Sequence, residues 1–549
     1  MQAKRTLSTI AVALGFGFAL AGCSTPETKS PTEVADEQAP TQALGEVHFE
    51  TSCNEEAQAE FNRAVALLHS FWFPEGIEAF QGVLELDDSC GMAHWGIALS
   101  QWGNFLGGPR EQETLARGWE ATQRASETGA GTEREQNYIA AVELLYKDYE
   151  SSDNRTRKLA YENAMEAIHA KYPDDSEAKA FYGIALNGTA DLAYKTYANQ
   201  LKAAAMLEEV FEQQPNHPGL AHYLIHSYDF PPLADRGRDA AYRYADIAPD
   251  APHAQHMPSH IFTRIGAWQD SIDTNIRSAA SAEKANSPAE ALHAFDYKVY
   301  AYLQTAQDAK AEDVVRRAMA LSDSIPQEDG YLFAADFALA AIPARYALER
   351  QDWDAAAALE VRESRFPHAK AMTHFARALG AARGGDVEAA RKDFEALGTM
   401  REALNEAGLA YWELQAQIQE GMAEAWIEFA ENADDKSDAL TKMRAAAELE
   451  DTTEKSAVSP GPLVPARELY ASMLLEAGQA EQALTEFEAS AKHDPHRFIG
   501  TYGTAKAAEL SGNREKAEAS YRQLLEICER GDDTGRDTLQ EARALVAES

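Results

Sequence analysis

Between residue 54 and the C-terminus, apolar side chains recur at three- and four-residue spacing in one short segment after another. A helix with one buried face has that period. Ala, Leu and Glu, all strong helix formers, dominate these segments, and runs of Val, Ile and Thr in strict alternation are missing. The pattern predicts amphipathic helices of about two to five turns and no sheet. Breaks such as Phe73-Pro74-Glu75-Gly76 and Asn216-His217-Pro218-Gly219 end one helix and start the next. Helical pairs of this kind cannot bury their faces alone and must stack on neighbours.

A longer period lies above the helical one. Ala483, Phe487 and Pro495 match the second helix of a helical hairpin with its closing proline, and Ala517 and Tyr521 follow the first two after 34 residues. A small residue lets two helices cross closely, and an aromatic ring one turn on fills the gap beside it. Gly76, Phe80 and Val83 are a degenerate copy, as are Gly237, Tyr244 and Pro249, and Ala390, Phe394 and Leu397. These residues and their spacing resemble the tetratricopeptide repeat. The resemblance implies an all-α, right-handed α-solenoid in which the first helix of each unit lines a concave surface. On this reading residues 51–450 are an irregular array with a histidine-rich concave groove, 451–465 a polar loop, and 466–549 regular C-terminal repeats.

The 34-residue period also relates histidines. His222 and His226 are four apart, as are His256 and His260, and the second pair follows the first at 34 residues. His222 lies 15 positions before Gly237, and His256 lies 15 before Ser271, the equivalent small residue. In the family this phase faces the groove. If Ala311 is the next small residue, Asp296 takes the phase of His222 and His256, and Tyr300 that of His226 and His260. His293 then matches His253, and Asp229 lies one turn beyond His226. Of 15 histidines, six fall between 222 and 293, so the clustering is local. Pro258, inside the second pair, frees a backbone carbonyl and bends its helix.

Residues four apart lie one above the other on a helix, so each pair is a two-toothed ligand. Neutral imidazole suits zinc or copper, and a carboxylate can complete the set. The expected metal ligands are His222, His226, His256, His260 and Asp296, with Asp229, His253, His293 and Tyr300 completing the groove. Three ligands on one ion would leave an open position for chemistry, with Asp296 or Asp229 as base. Two other readings stay open: a groove that binds a peptide, protein or small ligand, and histidines that only pack. His69 and His94, near Trp72 and Trp95, could extend the site, but packing is the expectation for both.

A closer resemblance rests on whole strings. His222-Tyr223-Leu224-Ile225-His226, His256-Met257-Pro258-Ser259-His260-Ile261 and His293-Ala294-Phe295-Asp296-Tyr297 are similar to those of a group of bacterial tetratricopeptide proteins, many of them secreted. So are His69-Ser70-Phe71, Cys90-Gly91-Met92-Ala93-His94-Trp95-Gly96 and Pro465-Ala466-Arg467-Glu468-Leu469. This likeness implies the fold and flags the histidines, and it names no reaction.

The N-terminus changes the picture of where the array works. Lys4 and Arg5 precede an apolar stretch from Leu7 to Leu20, too short to span a membrane comfortably, which closes on Leu20-Ala21-Gly22-Cys23. This resembles the bacterial lipobox and implies a signal peptide over 1–22 and lipidation of Cys23. Ser24, where an aspartate would imply inner-membrane retention, points to the outer membrane. Residues 23–50, rich in Thr, Pro, Glu and Ala from Thr25 to Glu46, are expected to be a flexible tether. In an oxidising compartment a Cys53–Cys90 disulfide is expected between adjacent units, with Cys528 as a small buried hydrophobe.

Acidic residues outnumber basic ones 89 to 50, a formal net charge of −39 that repels nucleic acid, so no nucleic-acid partner is expected. No His-Glu-x-x-His, Gly-x-Ser-x-Gly or Gly-x-x-x-x-Gly-Lys string occurs. Binding is therefore favoured over catalysis.

Overall fold

The computed structural model describes residues 42–325, 332–432, 434–532 and 536–548. Every regular element among them is a helix. Consecutive helices pack on one another from Glu55–His69 with Phe73–Leu86 to Phe498–Leu510 with Arg514–Ile527. The chain is a tetratricopeptide-like helical solenoid.

Local chemistry sets the hairpin geometry. Within several units the second helix starts two residues after a left-handed residue: Gly266 before Trp268–Lys284, Gly385 before Val387–Glu406, and Gly478 before Ala480–Ser490. Glycine adopts that conformation without a Cβ penalty. Close crossings need glycine for a different reason. A Cβ on Gly96 would sit 2.2 Å from the Phe80 ring, and one on Gly503 would sit 2.2 Å from the Phe487 ring. The aromatic of one unit thus beds on the first helix of the next. Ser271 and Ala311, the expected small residues after Gly237, are fully buried.

The N-terminal part differs from the expected tether. Leu44, Val47 and Phe49 are buried, and the Phe49 ring packs on Phe61, Trp95 and Tyr138 at 5.1–5.6 Å. Three apolar anchors in a polar stretch help lay it on the array, where the Glu46 amide donates to the Asn216 carbonyl at 3.0 Å and the Ala43 amide to Asp250 at 2.7 Å. Cys53 and Cys90 are joined, with Cα atoms 5.0 Å apart. Cys528 is buried and free. The signal segment 1–22, Cys23 and the tether up to residue 41 lie outside the described residues.

The 451–465 segment lacks regular structure, yet it is packed against the array. Arg345, fully buried, bonds Asp296 at 2.8 Å, the carbonyls of Pro462 and Gly461 at 2.7 and 2.8 Å, and Ser459 Oγ at 2.9 Å. The Tyr297 hydroxyl donates to the Ser459 carbonyl at 2.9 Å. Side chains of the array thus satisfy the loop's backbone, which lets an irregular segment be buried.

Beyond the loop, the C-terminal units return to the middle of the array. Trp268 Nε1 donates to the His496 carbonyl at 2.7 Å, and the Phe498 amide donates to Gln304 Oε1 at 2.9 Å. Gly266 meets His496, where a Cβ would come within 2.8 Å. Arg497, also fully buried, is held by Glu349 at 2.7 Å and Glu468 at 3.0 Å. Removing one partner of such a pair leaves an uncompensated interior charge, which costs about 3–5 kcal/mol.

Candidate metal centre

The helix Pro218–Tyr228 carries His222 and His226. His253 and His256 lie on the short helix Pro252–His256, and His260 on Pro258–Arg264, the break falling at Pro258 as its ring requires. His293 and Tyr297 lie on Pro288–Gln304. The six histidines form one chamber, and none is more than 9% exposed. They do not line an open groove, because neighbouring helices and the 451–465 loop cover them.

The nitrogens converge in two sets. His222, His226 and His253 offer ligand atoms within 4.8 Å of one another, and so do His256, His260 and His293. In the first set His222 Nε2 and His226 Nε2 are 3.1 Å apart. In the second His256 Nε2 and His260 Nε2 are 3.2 Å apart.

Hydrogen-bond partners fix the tautomers of the second pair. Asn275 Nδ2 donates to the Ser271 carbonyl, which leaves Asn275 Oδ1 to accept from His256 Nδ1 at 2.8 Å. Asp229 Oδ2 accepts from His260 Nδ1 at 2.9 Å. Both rings carry their proton on Nδ1, so the two Nε2 lone pairs face each other, with the Tyr297 hydroxyl, which donates to the Ser459 carbonyl, 3.4 Å from His260 Nε2. In the first pair, His222 Nδ1 donates to the His69 carbonyl at 2.6 Å, while His226 Nδ1 has no partner. His253 has no hydrogen-bond partner at either ring nitrogen; its Nδ1 is 3.5 Å from Glu290 Oε2.

Burial favours the neutral form of five of these rings. Desolvation, helped by the neighbouring imidazoles, holds His222, His226, His256 and His293 well below the ordinary histidine range. Burial lowers His260 to about 4 against the pull of Asp229. Asp229 would be raised by burial, but Lys455, Arg264 and His260 outweigh it and hold the carboxylate well below the usual range. Lys455 reaches Asp229 at 2.6 Å, and burial pushes that amine down to about 8.

Several expectations need correction. Asp296 joins neither histidine set; it lies a residue off the His293–Tyr297 face, and Arg345 claims it. Tyr300 faces Arg497 instead of the imidazoles. Asp229 touches the site as the carboxylate that orients His260, and with Arg264 and Lys455 on its oxygens it is not placed to act as a base. Tyr297 was the missed neighbour: its ring lies 4.6 Å from His256 and 4.9 Å from His260. Its signal was in the chain, since His293 and Tyr297 repeat the four-residue spacing of the histidine pairs. Phe71 was also missed. Its backbone is left-handed (φ 54°) where Gly266, Gly385 and Gly478 serve elsewhere, and its ring lies 4.3 Å from His222 and 5.4 Å from His253.

His69 takes no part in the chamber through its ring. Its Nε2 donates to Glu177 at 2.8 Å, and its Nδ1 accepts from the Tyr223 hydroxyl at 2.9 Å. His217 Nε2 donates to the other Glu177 oxygen at 3.0 Å, and its Nδ1 accepts the Leu220 amide. Every donor here has an acceptor. His94 is half-buried and belongs to none of these clusters.

An open cavity lies beside the 451–465 loop. Phe337, His368, Met372, Tyr411 and Trp412 line it, facing Lys455 and Ser459. His368 stacks on Trp412 at 4.5 Å and has no hydrogen-bond partner at either ring nitrogen.

No family model and no curated protein matches the sequence. Solved structures similar to the chain include yeast Tom70, at 14% identity over 90% of this chain and 95% of that one, TM-score 0.27. The human IFIT1 dimer with m7Gppp-AAAA matches at 12% identity over 87% and 96%, TM-score 0.35. Naa15/Naa10 bound to HypK-THB matches at 13% identity over 89% and 70%, TM-score 0.22.

Proposed function

We propose that this protein is an envelope-anchored helical-repeat scaffold that holds a transition metal, zinc or copper, on the buried histidines. The observation that carries the reading is the His256–His260 pair. Two neutral imidazoles with facing lone pairs 3.2 Å apart repel unless a cation lies between them. A proton is disfavoured there, because burial opposes imidazolium. Two nitrogens at the usual metal distance of about 2.0–2.1 Å in tetrahedral geometry stand about 3.3 Å apart, close to the spacing found. The partners of His256 and His260, an amide oxygen and a carboxylate, are those that orient metal-bound histidine. The saturated His69–Glu177–His217 group is what a purely structural set looks like.

A binding role is favoured over catalysis, because Asp229 is held by Arg264 and Lys455 and Asp296 belongs to neither histidine set. In the test, untagged protein is stripped with chelator and titrated with zinc and with copper. Wild type should take up metal, and the His256→Phe, His260→Phe double variant should lose most of it while keeping its helical circular dichroism. Wild type that ignores both metals would remove the reading.

The anchor is part of the same proposal. The Cys53–Cys90 disulfide suits an oxidising compartment, which supports export. Cys23→Ala should move the protein from the membrane fraction to the soluble periplasmic fraction; unchanged membrane association would contradict lipid anchoring at that residue.

A further inference from the structure

We infer that the chamber is a two-ion centre, with His222, His226 and His253 as one three-nitrogen subsite and His256, His260 and His293 as the other. This rests on the metal reading above and goes beyond it in number and assignment. One ion takes about four nitrogens at roughly 2 Å, so six imidazoles exceed its shell. The nitrogens also converge on two places. Each HxxxH pair brings its own Nε2 atoms to 3.1 or 3.2 Å, and each pair has its own third histidine within 4.8 Å. By ring centroids the two pairs stand at 4.8 Å (His222–His226) and 5.1 Å (His256–His260), against 5.8 Å for His226–His260 and 5.9 Å for His253–His256 between the sets, while His293 lies 4.2 Å from His256 and 6.5 Å from His260. His222, His256 and His260 each direct Nδ1 to an oxygen, so each presents Nε2 inward. The unpartnered nitrogens of His226 and His253, buried polar atoms that ordinarily demand a partner, all belong to the first subsite.

Charge favours ions of low charge. Asp229, the carboxylate in contact with His260, is already met by Arg264 and Lys455, so a dication at the second subsite would find little compensation, and the carboxylate beside the first is Glu290, 3.5 Å from His253 Nδ1. Imidazole suits copper, and copper(I) brings half the charge of zinc(II).

The test counts ions on the full-length protein. Stripped wild type is titrated anaerobically with copper(I) against a chromophoric competitor, and bound metal is measured by mass spectrometry after desalting. Two equivalents per chain are expected. The His222→Phe, His226→Phe variant and the His256→Phe, His260→Phe variant should each retain one, with wild-type helicity. A single equivalent in wild type, lost in both variants, would overturn the two-ion assignment and leave the metal reading standing. No bound ion in wild type would sink both. Should a variant fail to fold, the copper(I) stoichiometry of wild type decides alone, with two equivalents per chain expected. Saturation at one equivalent would overturn the pair.

Discussion

At the scale of single residues, the proposed site depends on what each imidazole does with the nitrogen that would not bind the ion. Asp229 fixes His260 and is itself fixed by Arg264 and Lys455, so it links the chamber to the 451–465 loop. Asp229→Asn keeps the shape and removes the charge. Metal affinity should fall about 10- to 100-fold, as for other partners of metal-bound histidine, and unchanged affinity in a competition titration would contradict the role given to Asp229. Phe71 works through packing instead. A bulky residue in the left-handed region costs on the order of 1–3 kcal/mol, and here it places an aromatic ring over His222 and His253.

At the scale of elements, the 451–465 segment covers the site. Its polar, proline-bearing composition reads as a solvated loop, and nothing local announces that Arg345 and Tyr297 will bond its carbonyls. At the start of the segment, Glu450 accepts the Ala466 amide at 2.6 Å and so pins the loop's two ends together. Burial raises its carboxyl to about 8. The folded chain therefore binds a proton that the unfolded chain has released above the ordinary glutamate range. The stability this group contributes is complete below about pH 4.5 and is lost as pH rises toward 8, by at most a few kcal/mol. Urea unfolding at pH 5 and pH 8.5 should show a larger loss for wild type than for Glu450→Gln; equal losses would contradict the assignment. The helix Pro288–Gln304 shows where sequence phase fails. Counting back from Ala311 selects Asp296 and Tyr300, whereas the four-residue spacing His293–Tyr297 selects the face that meets the histidines. One residue on a helix is a turn of about 100°, enough to carry Asp296 away to Arg345.

At the scale of the whole molecule, the helical class was legible because stacked repeats turn a sequence period into a spatial one, and the rings of His226 and His260, 34 residues apart, lie 5.8 Å from each other. The burial of those histidines was not legible. It comes from contacts between residues hundreds of positions apart, such as Trp268 with His496 and Asp229 with Lys455, which no period encodes. The array does not present these histidines to a large partner; it encloses them, an arrangement that suits the ion proposed above. The most direct measurement is anomalous diffraction from crystals of untagged protein soaked in copper or zinc, recorded on both sides of the metal edge. Peaks about 2 Å from the Nε2 atoms of His256 and His260, and of His222 and His226, are the predicted result. A chamber without anomalous density in crystals whose surface histidines have bound the metal would contradict it.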